Sequence, residues 1–164
     1  MVFRSRRHRA AVFVATVAAL ALVSAGCGDD DEGETGATGG ETGAAGAVDV
    51  TVQEFAVIPA SASAPAGDVT FNVTNEGPDD THEFVVFATD LAPDALPTNE
   101  DGTVDEEGEG IEAVDEIEDI EVGDTQSLTV DLAAGNYVLI CNIYEEDEQE
   151  SHYQEGMRVA FTVE

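Results

Sequence analysis

Apolar residues recur at every second position in four separate segments of this chain. Val48, Val50 and Val52 alternate with Asp49 and Thr51, and Val69, Phe71 and Val73 alternate with Thr70 and Asn72. Leu128, Val130 and Leu132 repeat the pattern, and Val159, Phe161 and Val163 close the sequence with it. A period of two marks a strand with one buried face. Two further segments are denser. Residues 82–88 hold Phe84, Val85, Val86 and Phe87, and residues 137–143 form a nearly continuous apolar run suited to a central strand. Pro65-Ala66-Gly67, Asn75-Glu76-Gly77-Pro78 and Ala134-Gly135 punctuate these runs. About seven short strands with such breaks predict an all-β sandwich.

The first residues belong to no fold. Arg4, Arg6, Arg7 and Arg9 form a positive cluster, and residues 10–23 are apolar but short for a mature membrane span. Ser24-Ala25-Gly26 then precede Cys27. This arrangement resembles a bacterial lipoprotein signal, in which the cysteine is lipidated and becomes the first residue. Ser24 departs from the leucine usual at that position. Ordinary secretory cleavage, leaving Cys27 a free thiol, is the alternative. Residues 28–47 are Gly, Thr, Ala, Asp and Glu with almost nothing to build a core. As a flexible coil they would span about 25 Å. The expected organisation is a signal peptide over 1–26, a lipidated Cys27 with an acidic, glycine-rich tether over 27–47, and one domain over 48–164.

Of 164 residues, 36 are acidic and five basic, a net charge of −31. Four of the five basic residues fall within the first nine, so only Arg158 faces the acids in the rest of the chain. Such a surface repels nucleic acid and anionic headgroups. It can attract a basic partner protein, or it can reflect adaptation to salt. Residues 90–121 are the most acidic stretch, with 14 acids in 32 residues. They read as a long acidic connection between strands. Ile111, Val114 and Ile117 at spacing three suggest a short amphipathic helix within it, and Ile120 and Val122 suggest a strand. The segment 99–102 lacks the ligand alternation of a calcium loop.

Past residue 26 the chain retains two histidines, His82 and His152, one methionine, Met157, and one cysteine besides Cys27, namely Cys141. An exported protein that keeps an unpaired cysteine calls for an explanation, and metal ligation supplies one. Two imidazoles, a thiolate and a thioether are the donors of a type 1 copper centre, three strong ligands with a weak axial Met. Cys141 falls at the end of the apolar run, His82 at the start of a strand, and His152 and Met157 before the last strand. In a sandwich these places share one end.

The order His–Cys–His–Met, the segment Gly135-x-Tyr137-x-x-x-Cys141, the spacing His152-x-x-x-x-Met157 with Gly156 before the methionine, and Asn75-x-Gly77 upstream of His82 resemble the cupredoxins, including plastocyanin-like and sulfocyanin-like domains. The resemblance implies a Greek-key β-sandwich with His82, Cys141 and His152 as equatorial ligands and Met157 as the axial one. It also implies a monomeric one-electron carrier on the outer face of a bacterial cell membrane, working with a redox partner protein, and no catalysis. Copper delivery or storage, and a metal-free binding module, are the rival readings.

Two features depart from the family. Ten residues separate Cys141 from His152 where two to four are usual, and five of the ten are acidic. Lengthening the loop from four to ten costs only about 0.8 kcal/mol of closure entropy, but predicts a site held less rigidly. It also brings Glu150, with Glu155 beyond the loop, close enough to compete as hard ligands. The second departure is Glu83, where relatives carry a small amide that steadies the thiolate loop. Asn142 is the expected substitute.

Overall fold

The computed structural model describes residues 46–164. Residues 1–45, with the expected signal segment, Cys27 and most of the expected tether, lie outside the described residues. The elements in chain order are β1 (Ala47–Gln53), β2 (Ala56–Pro59), β3 (Ser63–Ala64), β4 (Gly67–Asn75), β5 (His82–Thr89), β6 (Ile111–Ile120), β7 (Thr125–Leu132), β8 (Gly135–Ile140), β9 (Tyr144–Glu145), β10 (Glu150–Ser151), α1 (His152–Glu155) and β11 (Arg158–Val163).

Two sheets carry the fold. One has the order β2-β1-β4-β7 and the other β3-β11-β8-β5-β6, with β9 and β10 paired apart as a small hairpin. The pairs β1–β4 and β3–β11 are parallel and the rest antiparallel. The chain crosses between sheets after β2, β3, β4, β6 and β7, so strands far apart in sequence lie side by side in each sheet.

The alternating segments become β1, β4, β7 and β11. Their inward residues, Val48, Val50, Val52, Val69, Phe71, Val73, Val130, Leu132, Phe161 and Val163, are buried together with Phe84 and Val86 of β5 and Leu139 of β8. Phe71 anchors the centre, with its ring 5.2 Å from that of Phe84 and 5.4 Å from that of Phe161. The unbroken runs in β5 and β8 have a different cause. Val85, Phe87, Val138 and Ile140 face the opposite way and are buried by Leu96, Val104 and Tyr153. Strands covered on both faces lose their alternation.

The acidic connection is therefore more ordered than its composition suggests. Residues 90–110 contribute the buried Leu96 and Val104 to this outer cluster, and Thr98 and Val104 form a bridge. The helix expected from Ile111, Val114 and Ile117 is instead β6, an antiparallel partner of β5. Its register slips twice. His82 and Phe84 pair with Ile120 and Ile117, and Val86 and Phe87 pair with Asp115 and Ala113. Each slip inserts one extra residue, a β-bulge; Asp119, inside the first, has φ 50°. The first bulge lets Ile117 and Ile120, three residues apart, both turn inward. A spacing of three thus arises here from a strand with bulges.

Candidate metal centre

Three sequence-predicted ligands meet at one end of the sandwich. The donor atoms of His82, Cys141 and His152 all lie within 4.8 Å of one another, and all three residues are buried. Cys141 Sγ is 3.4 Å from His152 Nδ1 and 3.9 Å from His82 Nδ1. The two Nδ1 atoms are 3.2 Å apart. Three donors each about 2.0–2.3 Å from one ion would be spaced in this way.

Each ligand is placed by its own local structure. His82 opens β5 after the Asn75–Gly77 turn. The Asn75 side chain donates to the carbonyls of Asp80 and Ile120, both at 2.8 Å, and accepts the Gly77 N–H at 2.8 Å. This buried amide fixes the approach to His82. Cys141 follows β8 directly. His152 and Met157 bracket α1, a single turn capped by Ser151, whose hydroxyl accepts from the Gln154 N–H.

Met157 is fully buried, and its backbone is tied to two other candidates. Its N–H donates to the His152 carbonyl at 3.0 Å and its carbonyl accepts from the Cys141 N–H at 3.1 Å. Arg158 donates to the carbonyls of Tyr153 and Gln154 and lies over the Tyr153 ring at 4.9 Å. The one basic side chain of the described residues thus secures the C-terminal end of the ligand helix.

The long interval between Cys141 and His152 does not loosen the site. Its excess length pairs with itself as the β9–β10 hairpin, with Tyr144 opposite Ser151 and Glu145 opposite Glu150. Below the hairpin the His152 N–H donates to the Ile143 carbonyl at 3.0 Å. The chain therefore enters and leaves the hairpin at neighbouring points, and at the metal the loop is short. The acids project away: 146–148 and Glu155 are exposed, and neither Glu150 nor Glu155 joins the donor group.

Glu83, not the Asn142 side chain, steadies the Cys141 loop. The Glu83 N–H points at Cys141 Sγ at 3.4 Å, and its carboxylate accepts the Asn142 N–H at 2.8 Å. Burial, with Glu116, Glu106 and Glu118 nearby, raises the Glu83 carboxyl to about 7 despite that hydrogen bond. The Asn142 side chain turns the other way. It accepts the Val104 N–H at 2.6 Å and donates to the Val104 carbonyl at 3.1 Å, fastening the acidic connection to the site. Tyr153 does the same, donating to the Pro93 carbonyl at 2.8 Å and accepting the Leu96 N–H at 3.2 Å.

Burial favours the uncharged forms of Cys141 and His82. Burial pushes the Cys141 thiol up to about 12, so the protein alone does not stabilise a thiolate there. Burial also holds His82 below its ordinary value, and His152 adds to this. A metal ion reverses both penalties by supplying positive charge among the donors. The soft sulfur with two imidazoles fits copper.

The turn between β1 and β2 supplies two residues that the sequence patterns left unmarked. The Phe55 ring stands edge-on to His152 at 5.6 Å. Glu54 Oε1 lies 4.0 Å from His82 Nε2. Their only sequence signal is a polar–aromatic pair at the end of an alternating strand, which is common in any turn.

The class is defined by this sandwich with its ligand cluster at one end: it is the cupredoxin fold. Among solved structures, the chain is similar to the dithionite-reduced auracyanin of the photosynthetic bacterium Roseiflexus castenholzii, with a TM-score of 0.52, 18% identity, and 74% of this chain and 99% of that one covered. It also resembles auracyanin B, with a TM-score of 0.49, 22% identity and coverage of 73% and 89%. Auracyanin A, a "blue" copper protein of Chloroflexus aurantiacus, aligns with a TM-score of 0.48, 17% identity and coverage of 72% and 98%. No family model matches the sequence. No curated protein matches it either.

Proposed function

We propose that the protein is a one-electron carrier with a type 1 copper site, tethered to the outer face of a bacterial cell membrane. The convergence of His82 Nδ1, Cys141 Sγ and His152 Nδ1 carries this reading. Met157 is the proposed axial ligand, supported by its burial and its backbone bonds to Cys141 and His152. Copper held by these residues exchanges one electron with a partner.

The protein's contribution is to keep the donors still. The Ile143–His152 hydrogen bond closes the loop, Glu83 holds the sulfur, and the Ser151 and Arg158 contacts fix α1. A site held this firmly accommodates both oxidation states with little rearrangement. Burial of all three donors argues against copper delivery, which needs ligands that open to a recipient. The uniform acidity suits a redox partner with a basic surface.

Lipidation of Cys27 and the glycine-rich segment after it provide the proposed anchor and reach. Among the described residues no helix is long and apolar enough to cross a membrane. Cys27→Ala should move the protein from the membrane fraction to the soluble one. Retention in the membrane would overturn the anchor.

The copper reading is tested by adding Cu(II) and recording the visible spectrum. An intense sulfur-to-copper band is expected, and Cys141→Ser should abolish it while the far-UV signature of the sandwich persists. Copper bound without the band, or a band that survives in the serine variant, would overturn the assignment.

A further inference from the structure

Among the described residues, two buried side-chain polar atoms have no hydrogen-bond partner: Glu54 Oε2 and His82 Nε2. They belong to residues that face each other, with Glu54 Oε1 4.0 Å from His82 Nε2. Buried orphans are rare in a folded protein, because each forfeits its bonds to water without replacement. Their placement in one spot, against a candidate ligand, calls for an explanation.

Metal binding supplies one, and the role of Glu54 rests on the copper reading. His82 directs Nδ1 toward Cys141 and His152. A neutral imidazole that binds metal through Nδ1 carries its proton on Nε2. That N–H is then a donor in a fully buried position. The carboxylate of Glu54 is the acceptor that faces it. The carboxylate is itself held in place, because Oε1 accepts the N–H groups of Asp79 at 3.0 Å and Asp80 at 2.6 Å. These are the residues leading into β5, so one side chain braces the loop and addresses the ring at its end.

We propose that Glu54 is a positioning residue for the metal centre, accepting the His82 Nε2–H once metal occupies Nδ1. The contact fixes the tautomer and ring orientation of His82. It also places a negative charge behind the imidazole, which makes the ring a stronger donor and favours Cu(II) over Cu(I).

Glu54→Gln separates this role from simple bracing. The amide oxygen can still accept from Asp79 and Asp80, but the charge is gone. The full-length protein is loaded with copper, and its midpoint potential and its Cu(II) and Cu(I) affinities are measured by chelator competition. The Cu(I)-loaded protein, which is diamagnetic, is labelled with 15N to read His82 Nε2. Glu54→Gln should retain the visible band, raise the potential, weaken Cu(II) about tenfold more than Cu(I), and move the His82 Nε2 resonance. Glu54→Ala should show the same shifts together with lower thermal stability. An unchanged potential and an unmoved resonance in the glutamine variant would overturn the proposal and leave Glu54 a brace. Failure of the wild-type protein to bind copper would overturn the metal reading, and this inference with it.

Discussion

Two acidic insertions flank the metal centre, and they are held in opposite ways. The connection 90–110 is fastened along its length. Leu96 and Val104 are buried in the outer cluster, and Asn142 and Tyr153 bond its backbone. The hairpin over 144–151 is fastened at its base, where Ile143 meets His152, while its tip is exposed. Both are rich in Asp and Glu, yet one forms part of the domain and the other stands off it. Anchoring, not length or charge, decides what an insertion does to the site it borders.

The sharpest way to break this contrast is to cut the anchors of the connection. Leu96→Ala or Val104→Ala removes apolar volume packed between β5, β8 and Tyr153. Each should cost about 1–4 kcal/mol, with the larger loss at Leu96. Thermal unfolding would read this as a drop of several degrees. Variants that unfold at the wild-type temperature would show that the connection is only draped over the sheet.

A smaller effect is expected from removing the hairpin. Because the chain enters and leaves it at neighbouring points, a short glycine-containing turn replacing residues 145–150, with Ser151 kept as the cap of α1, should leave stability within about 1 kcal/mol. The copper band should persist. Loss of the band on shortening would show that the hairpin itself holds His152.

Smallest of all should be the effect of charge on stability; its readout is the potential. Glu145, Glu146, Asp147, Glu148 and Glu150 changed to their amides would remove five negative charges from the hairpin. Each contributes at most about 1 kcal/mol near 8 Å with an effective dielectric near 40, less in salt. The potential should rise modestly, and more in dilute buffer than in molar salt. A large shift that is insensitive to salt would mean that one of these acids approaches the metal.

Much of this arrangement was legible in the sequence. The period-two segments became β1, β4, β7 and β11, and the unbroken runs became strands covered on both faces. His82, Cys141 and His152, which meet in the structure, stood out as candidates because such donors are so scarce here. What misled was spacing read without register. Ile111, Val114 and Ile117 imitate a helical period by spacing alone: Ile111 packs on the outer cluster, Ile117 in the inner core, and Val114 lies exposed in the second bulge, which nothing local in the sequence announces. The ten-residue interval suggested a loose loop because self-pairing of so acidic a segment is hard to foresee. Glu54 and Phe55 went unmarked because their importance comes from a long-range approach between a turn and two distant histidines.

The bulged β6 has a further consequence, for how the molecule behaves in a crowd. It is the outermost strand of its sheet, ten residues long, with one row of backbone groups unpaired by β5. Long, flat outer strands invite other chains to add on and seed aggregates. Here the two bulges twist the rim, and Glu112, Asp115, Glu116, Glu118 and Asp119 stud it with like charge. A second copy approaching strand to strand would meet both a mismatched ladder and mutual repulsion. The same irregularity makes this rim a poor template for a second strand.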